Sequence, residues 1–179
     1  MTIKRNSLAR RFFALILIMA LARPNAFACS CDYGGPFLKM APRASLVALV
    51  KVTKFLAFKT IYDHKTPMSM EVEIIDIYKG AENRKTVTVW GDPGNLCRPY
   101  LDTFTEGQAY VIAFNPGSPG SGHENEKETD YSISICGAFW LVADLKSQTV
   151  SGDINSKDRA SQTLSLSRLR PELEINSHK

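Results

Sequence analysis

Four cysteines constrain the fold of this 179-residue chain more than any other feature. Cys29 and Cys31 are separated by one residue, whereas Cys97 and Cys136 stand alone far downstream. In an oxidising compartment such an even set forms disulfides. A bond between Cys29 and Cys31 would close a tight, strained ring, so we expect each to bond with one of the distant cysteines, in either of the two arrangements. Cys29 and Cys31 should then point inward together and Ser30 outward, because alternate side chains of an extended segment share a face.

Residues 1–28 have the pattern of an export signal. A basic stretch at residues 4–11 precedes eleven apolar residues at 12–22. Eleven are too few to span a bilayer. The small residues at both ends of segment 26–28 match the A-x-A site of signal peptidase. We predict cleavage after residue 28, which would make Cys29 the first residue of a secreted, extracellular or periplasmic protein.

A cysteine at the cleavage point also permits a second interpretation, lipid anchoring as in bacterial lipoproteins. Those signals usually carry leucine three residues before the cysteine, whereas this chain has Ala26, followed by the bulky Phe27. Lipidation would also use the Cys29 thiol and leave three cysteines, an odd number for an exported protein. We therefore expect cleavage without lipidation and no stable membrane insertion afterwards.

The net charge of +4 belongs to the predicted signal. Residues 1–28 hold five basic residues and no acidic one, so residues 29–179 have 17 basic against 18 acidic residues, a net charge of −1. Nucleic-acid binding requires a basic face on the folded domain. We expect no nucleic-acid partner.

The mature chain is predicted to be mainly β. Residues 45–52 are almost all apolar, as in a strand covered on both faces, and the strand continues into residues 55–59. Residues 70–78 alternate in two phases that change between Ile74 and Ile75, which is typical of a β-bulge in a strongly curved sheet. Further strands are predicted at residues 86–90, 109–114, 131–135 and 139–143.

The segments between and after the strands complete this prediction. Residues 115–130 are rich in glycine, proline, serine and glutamate and indicate a long, mobile loop with solvated acidic residues. A short helix is predicted near residues 164–173, with Ser165 or Ser167 as its N-cap. Five or six strands with regular turn signals favour a small barrel or sandwich.

Sequence signals of an enzyme are absent. His64, His123 and His178 are scattered and have no metal-binding neighbours, so we expect each to be solvated. The chain has no nucleophile elbow, phosphate-binding loop or dinucleotide fingerprint. We therefore expect a non-enzymatic protein without a cofactor. A reduced thiol pair at Cys29 and Cys31 that binds copper or zinc remains an alternative, although no further ligand follows.

The order of these features resembles one family. It comprises a cleaved signal, a Cys-Ser-Cys start at 29–31, the strand entered through 44–47, the Tyr-Lys-Gly at 78–80, a turn ending in Cys97, the segment 107–111, and Cys136 before the last strand. This combination resembles the tissue inhibitors of metalloproteinases (TIMP) and, more broadly, the netrin-type (NTR) module, an OB-fold barrel. The resemblance covers about residues 29–143 and leaves 144–179 as a C-terminal extension with a short helix. It implies a five- to six-stranded OB-fold-like barrel with short flanking helices and two disulfides, Cys29–Cys97 and Cys31–Cys136.

The resemblance also implies a mechanism and a partner. In this family the amine and carbonyl of the first cysteine, here Cys29, chelate the catalytic zinc of a metalloproteinase. The residue matched by Ser30 enters the adjoining specificity pocket. Cys97 would hold Asn95 and Leu96 as a secondary contact beside the three residues Cys29, Ser30 and Cys31. These implications describe a secreted, monomeric metalloproteinase inhibitor whose only metal is the zinc of its partner.

The chain also departs from the family pattern. Animal members carry more cysteines and a second subdomain, whereas residues 144–179 contain no cysteine. Tyr33 replaces the proline usually found two residues after the C-x-C, and Asp32 adds a negative charge near the edge. The reduced form suggests a bacterial relative. The alternative function is a non-inhibitory, netrin-like binding or scaffold domain whose C-x-C is only a structural staple.

Overall fold

The computed structural model describes residues 30–61 and 63–177. The predicted signal peptide and Cys29 lie outside the described residues. The described elements are two helices, α1 and α2, eight strands, β1 to β8, and two short 3₁₀ turns. In chain order they are α1 (Phe37–Met40), a 3₁₀ turn (Ala41–Arg43), β1 (Leu46–Ile61), β2 (His64–Lys79), β3 (Thr86–Trp90), a 3₁₀ turn (Leu101–Thr103), β4 (Ala109–Pro116), β5 (Tyr131–Ser132), β6 (Trp140–Asp144), β7 (Thr149–Gly152), β8 (Gln162–Ser165) and α2 (Leu166–Ser177).

Five strands close into a barrel. β1 pairs antiparallel with β2, β2 with β3, β3 parallel with β5, and β5 antiparallel with β4. The pairing of β4 with β1 closes the ring. This confirms the predicted mainly β fold with a closed barrel and two short helices, and the barrel fits the expected OB-fold-like form. β6, β7 and β8 then extend the sheet from β4.

The bulge predicted in the second strand is present. Leu49 pairs with Asp76, whereas the next residue, Val50, pairs with Ile74. Ile75 is therefore an extra residue in the ladder, and its side chain is 46% exposed. The extra residue changes which face the following side chains occupy and lets the long β1–β2 hairpin bend around the barrel.

Several strand boundaries differ from those predicted. The strand predicted at 45–52 does continue through 55–59 as one strand, β1, which extends further, to Ile61. β5 ends at Ser132 because the chain then leaves the ladder, and Ile135 donates its amide to the carbonyl of Cys97 instead (3.1 Å). β7 and β8 were not predicted, since they are four residues long and only Val150 among them is fully buried.

The core fills the barrel and continues beneath both helices. The first five residues of β1 are all buried, as predicted for a strand covered on both faces. Phe37 of α1 and Leu169 of α2 are fully buried and belong to the same cluster. The predicted C-terminal helix is therefore present as α2, directly after Ser165, and it packs on the barrel. No helix within 30–61 and 63–177 has the length and apolarity needed to cross a bilayer.

Candidate inhibitory edge and its supporting loop

A disulfide anchors the start of the described chain. Cys31 and Cys136 are bonded across 105 residues, which confirms this predicted pairing. The amide of Gly34 donates to the carbonyl of Cys136 (2.9 Å), and the amide of Ala138 donates to the carbonyl of Gly35 (3.0 Å). The backbone after Cys31 therefore runs beside the segment that carries Cys136. We call residues 30–33 the N-terminal edge.

The N-terminal edge is open to solvent at its first three residues. Ser30, Cys31 and Asp32 are exposed. The side chain of Ser30 and the carboxylate of Asp32 can therefore meet a partner without unfolding the domain. The exposure of Ser30 agrees with the prediction that it points outward, whereas Cys31, which was expected to point inward, is exposed as well.

The segment of Cys97 lies on the other side of Cys136. The sulfur atoms of Cys31, Cys97 and Cys136 all lie within 4.8 Å of one another. The amide of Ile135 bonds to the Cys97 carbonyl, which fixes the two backbones next to each other. Cys97 is not a free thiol. Its predicted partner, Cys29, lies outside the described residues, so the Cys29–Cys97 bond stays a prediction. The structure therefore describes one of the two predicted disulfides.

The three clustered sulfurs do not form a thiolate metal site. Thiolates are the metal-binding form of cysteine, and the sulfurs of Cys31 and Cys136 are joined to each other. No free cysteine is found in the described ranges. This geometry argues against the reduced, metal-binding alternative for the cysteines.

Asp92 shapes the segment that carries Asn95 and Leu96. Its buried Oδ1 accepts hydrogen bonds from the amides of Gly94 (2.7 Å), Asn95 (2.8 Å) and Leu96 (2.8 Å). One carboxylate oxygen thereby satisfies three consecutive backbone donors and fixes the path of the chain. Asn95 is exposed and Leu96 is half-buried. The structure therefore brings the segment of both predicted contact residues close to the N-terminal edge, through their neighbour Cys97.

The loop at residues 115–130 is exposed over most of its length, as its composition predicts, but three of its polar side chains are buried. Glu126 forms a two-pronged ion pair with Arg98, with oxygen–nitrogen distances of 2.8 and 2.9 Å. The exposed fraction of the side chain is 0% for Glu126 and 9% for Arg98. Oε1 of Glu126 also accepts the amide of Ser118 (2.7 Å). The prediction of a solvated Glu126 is wrong, because a distant arginine supplies its counter-charge inside the protein.

His123 and Asp130 are buried in the same loop, so the predictions of solvation were wrong for them too. Nε2 of His123 donates to the carbonyl of Gly91 (2.9 Å), and its ring lies 4.7 Å from that of Trp90. Nε1 of Trp90 donates to Oδ2 of Asp130 (2.8 Å). Glu124 is exposed, as expected. Hydrogen bonds to the end of β3 thus hold the loop at two further points.

This loop supports the Asn95 segment directly. A Cβ atom added at Gly122 would lie 2.8 Å from Cγ of Pro93 and 3.1 Å from Cδ1 of Leu96. The backbone of Gly122 therefore packs against the side chains of Pro93 and Leu96, which would have to shift to admit a larger residue. A groove of about 480 Å³ lies beside this contact. Its lining comprises residues 96–98, residues 115–118, Ser121 and residues 132–134.

Sequence reasoning found the edge but missed the residues that support it. Asp92 lies in a predicted turn, and aspartate in such turns bonds to the following amides, so its role could have been inferred. Arg98, His123 and Glu126 carry no comparable local signal. Their burial depends on partners 28 to 32 residues away in the chain.

Comparison with known proteins adds no family assignment. No protein-family model matches the chain, and no curated protein matches it significantly in sequence.

Proposed function

We propose that the processed protein is a secreted inhibitor of zinc metalloproteinases that acts through Cys29 and the N-terminal edge that follows it. The amine and carbonyl of Cys29 would chelate the zinc of the protease, and Ser30 would enter the adjoining pocket. The observation that carries this proposal is the exposed Ser30 and Cys31, tied by the Cys31–Cys136 bond beside the segment of Cys97. A free chain end would not retain the geometry that chelation needs, whereas a tethered one loses little freedom on binding.

The chemistry of such chelation is consistent with a neutral N-terminus. Catalytic zinc keeps one position open for water or substrate. An α-amino group has an ordinary pKa of about 7.7–8.0, so a substantial fraction is unprotonated near neutral pH. Zinc competes with the proton for the same lone pair. Inhibition should therefore weaken about tenfold for each pH unit below that range.

The decisive experiment extends the N-terminus by one alanine. The processed protein, beginning at Cys29, is assayed against a panel of zinc endopeptidases at micromolar concentration. The extension converts the Cys29 amine into an amide without a lone pair for zinc, so we expect inhibition to fall by about two orders of magnitude. A matched control carries the same alanine after Lys179 and should inhibit like the unextended protein.

The outcomes separate the inhibitor from the alternative. If the unextended protein inhibits no member of the panel, the inhibitor proposal fails in favour of the netrin-like binding or scaffold domain. If both N-terminal forms inhibit equally, the protein inhibits by a mechanism other than chelation.

A further inference from the structure

Tyr33, at the end of the N-terminal edge, contacts residues far away in the C-terminal part of the chain. Its hydroxyl donates to Oδ2 of Asp153. The guanidinium of Arg159 lies 3.9 Å from the centroid of its ring. Both partners lie beyond residue 144, in the segment to which the sequence assigned no role. Two side chains of opposite charge therefore hold one aromatic ring, two residues after the disulfide cysteine.

The backbone follows the same path. The amide of Phe37 donates to the carbonyl of Asp153 (2.9 Å). The amide of Leu38 donates to the carbonyl of Ile154 (3.0 Å). The chain after the edge therefore has hydrogen-bonded neighbours on both sides, the Cys136 segment on one and the Asp153 segment on the other. Among the described residues no hydrogen bond holds the exposed Ser30 or Asp32, so beyond the Cys31–Cys136 bond the direction of the edge depends on its last residue, Tyr33.

We propose that Tyr33, Asp153 and Arg159 form a clamp through which the C-terminal extension sets the direction of the N-terminal edge. These three are positioning residues, since the clamp acts on the edge and touches no protease zinc. The proposal rests on the proposed inhibitory function for its consequence, but the clamp itself can be measured without a protease.

The state of the Tyr33 phenol supports this arrangement. Burial, together with its bond to the Asp153 carboxylate, raises the pKa of Tyr33 to about 12. The phenol therefore stays protonated and donates throughout the neutral range. A hydrogen bond to a charged acceptor is stronger than one between neutral groups. The guanidinium over the ring face adds a cation–π contact.

The test compares two similar tyrosines. Tyr131 also donates to a carboxylate, that of Glu82 (2.8 Å), and has a guanidinium, that of Arg84, 5.8 Å from its ring centroid. Tyr33→Phe and Tyr131→Phe thus remove the same kind of bond at two places. The readout is amide hydrogen exchange at Gly34 and Phe37, whose amides are hydrogen-bonded to the carbonyls of Cys136 and Asp153. We expect Tyr33→Phe to accelerate exchange at these two amides about five- to tenfold, as loss of one charged hydrogen bond allows. Tyr131→Phe should leave their exchange unchanged.

Conservative rescue separates positioning from a general loss of stability. Asp153→Ala should accelerate exchange of the Gly34 and Phe37 amides as Tyr33→Phe does, whereas Asp153→Asn, which still offers an oxygen to the phenol, should restore most of the protection. Equal exchange in the two tyrosine variants, or equal loss in the two Asp153 variants, would overturn the clamp.

An inhibition assay then tests whether the clamp affects the proposed inhibitory function. In a protein that inhibits a metalloproteinase, Tyr33→Phe and Asp153→Ala should raise the inhibition constant about tenfold, and Tyr131→Phe should not. Unchanged inhibition in all variants would overturn the clamp's role in positioning. If the wild-type protein does not inhibit at all, the proposed function fails, and the exchange experiment still decides whether the clamp exists.

Discussion

Substitution of Glu126 by glutamine should destabilise the protein far more than a typical loss of one charge. Glutamine keeps the length and shape of the side chain, and its oxygen can still accept the amide of Ser118. What it removes is the negative charge beside the guanidinium of Arg98. Because the side chain of Arg98 is only 9% exposed, water cannot replace the lost partner.

The magnitude follows from this burial. Breaking a buried ion pair by neutralising one member typically costs about 3–5 kcal/mol of unfolding free energy. The whole free energy of unfolding of a domain is about 5–15 kcal/mol. With a urea dependence of about 2 kcal/mol per M, the midpoint of unfolding should fall by about 2 M. The double variant Arg98→Met with Glu126→Met should recover most of the loss, because apolar residues of similar size need no counter-charge.

Urea unfolding followed by far-UV circular dichroism measures this cost. In a Trp140→Phe background, which leaves Trp90 as the remaining tryptophan of the sequence, fluorescence of Trp90, whose indole donates to Asp130, reports separately on the loop. The control is Glu172→Gln in the exposed pair with Arg168, where we expect at most about 0.5 kcal/mol. A cost for Glu126→Gln no greater than that of the control, or a double variant as unstable as the single one, would refute the reasoning.

Three other changes test different parts of the structure. Gly80→Ala should lower the free energy of unfolding by about 1–3 kcal/mol and the Tm by several degrees. The reason is that φ of Gly80 is +83° and the new Cβ would lie 2.5 Å from the carbonyl oxygen of Ser45. An unchanged Tm would contradict this. Leu169→Ala should lower the free energy of unfolding by about 2–5 kcal/mol, because Leu169 is fully buried, and should lower the Tm of a single cooperative transition. A barrel that kept its wild-type Tm would show that α2 is not part of the same cooperative unit. The hydrogen bond from Arg84 lowers the pKa of Glu82 to about 2, so its contribution should be complete above pH 4.5 and disappear as the pH falls towards 2. Because Arg84 is 42% exposed, we expect about 1 kcal/mol or less, seen as a shallower acid dependence of the urea midpoint in Glu82→Gln; identical acid profiles would argue against it.

The sequence by itself determined the features that depend on neighbouring residues. The apolar run at the start of β1, the phase change at Ile75 and the bounds of β3 all follow from side-chain periodicity, which is a local property of an extended backbone. The Cys31–Cys136 pairing came from the order of the cysteines within a family resemblance. The exposure of Ser30 followed from the alternation of side chains in an extended segment.

Only the tertiary structure decided which polar residues are buried. Glu126 and His123 lie in a segment whose composition is that of a solvated loop, and they are buried because Arg98 and the Gly91 carbonyl satisfy them from elsewhere in the chain. The contact of Tyr33 with Asp153 spans 120 residues and cannot be predicted from a local sequence pattern either. A buried polar group is stable only when a partner is placed against it, and the position of that partner is set by the closed barrel as a whole.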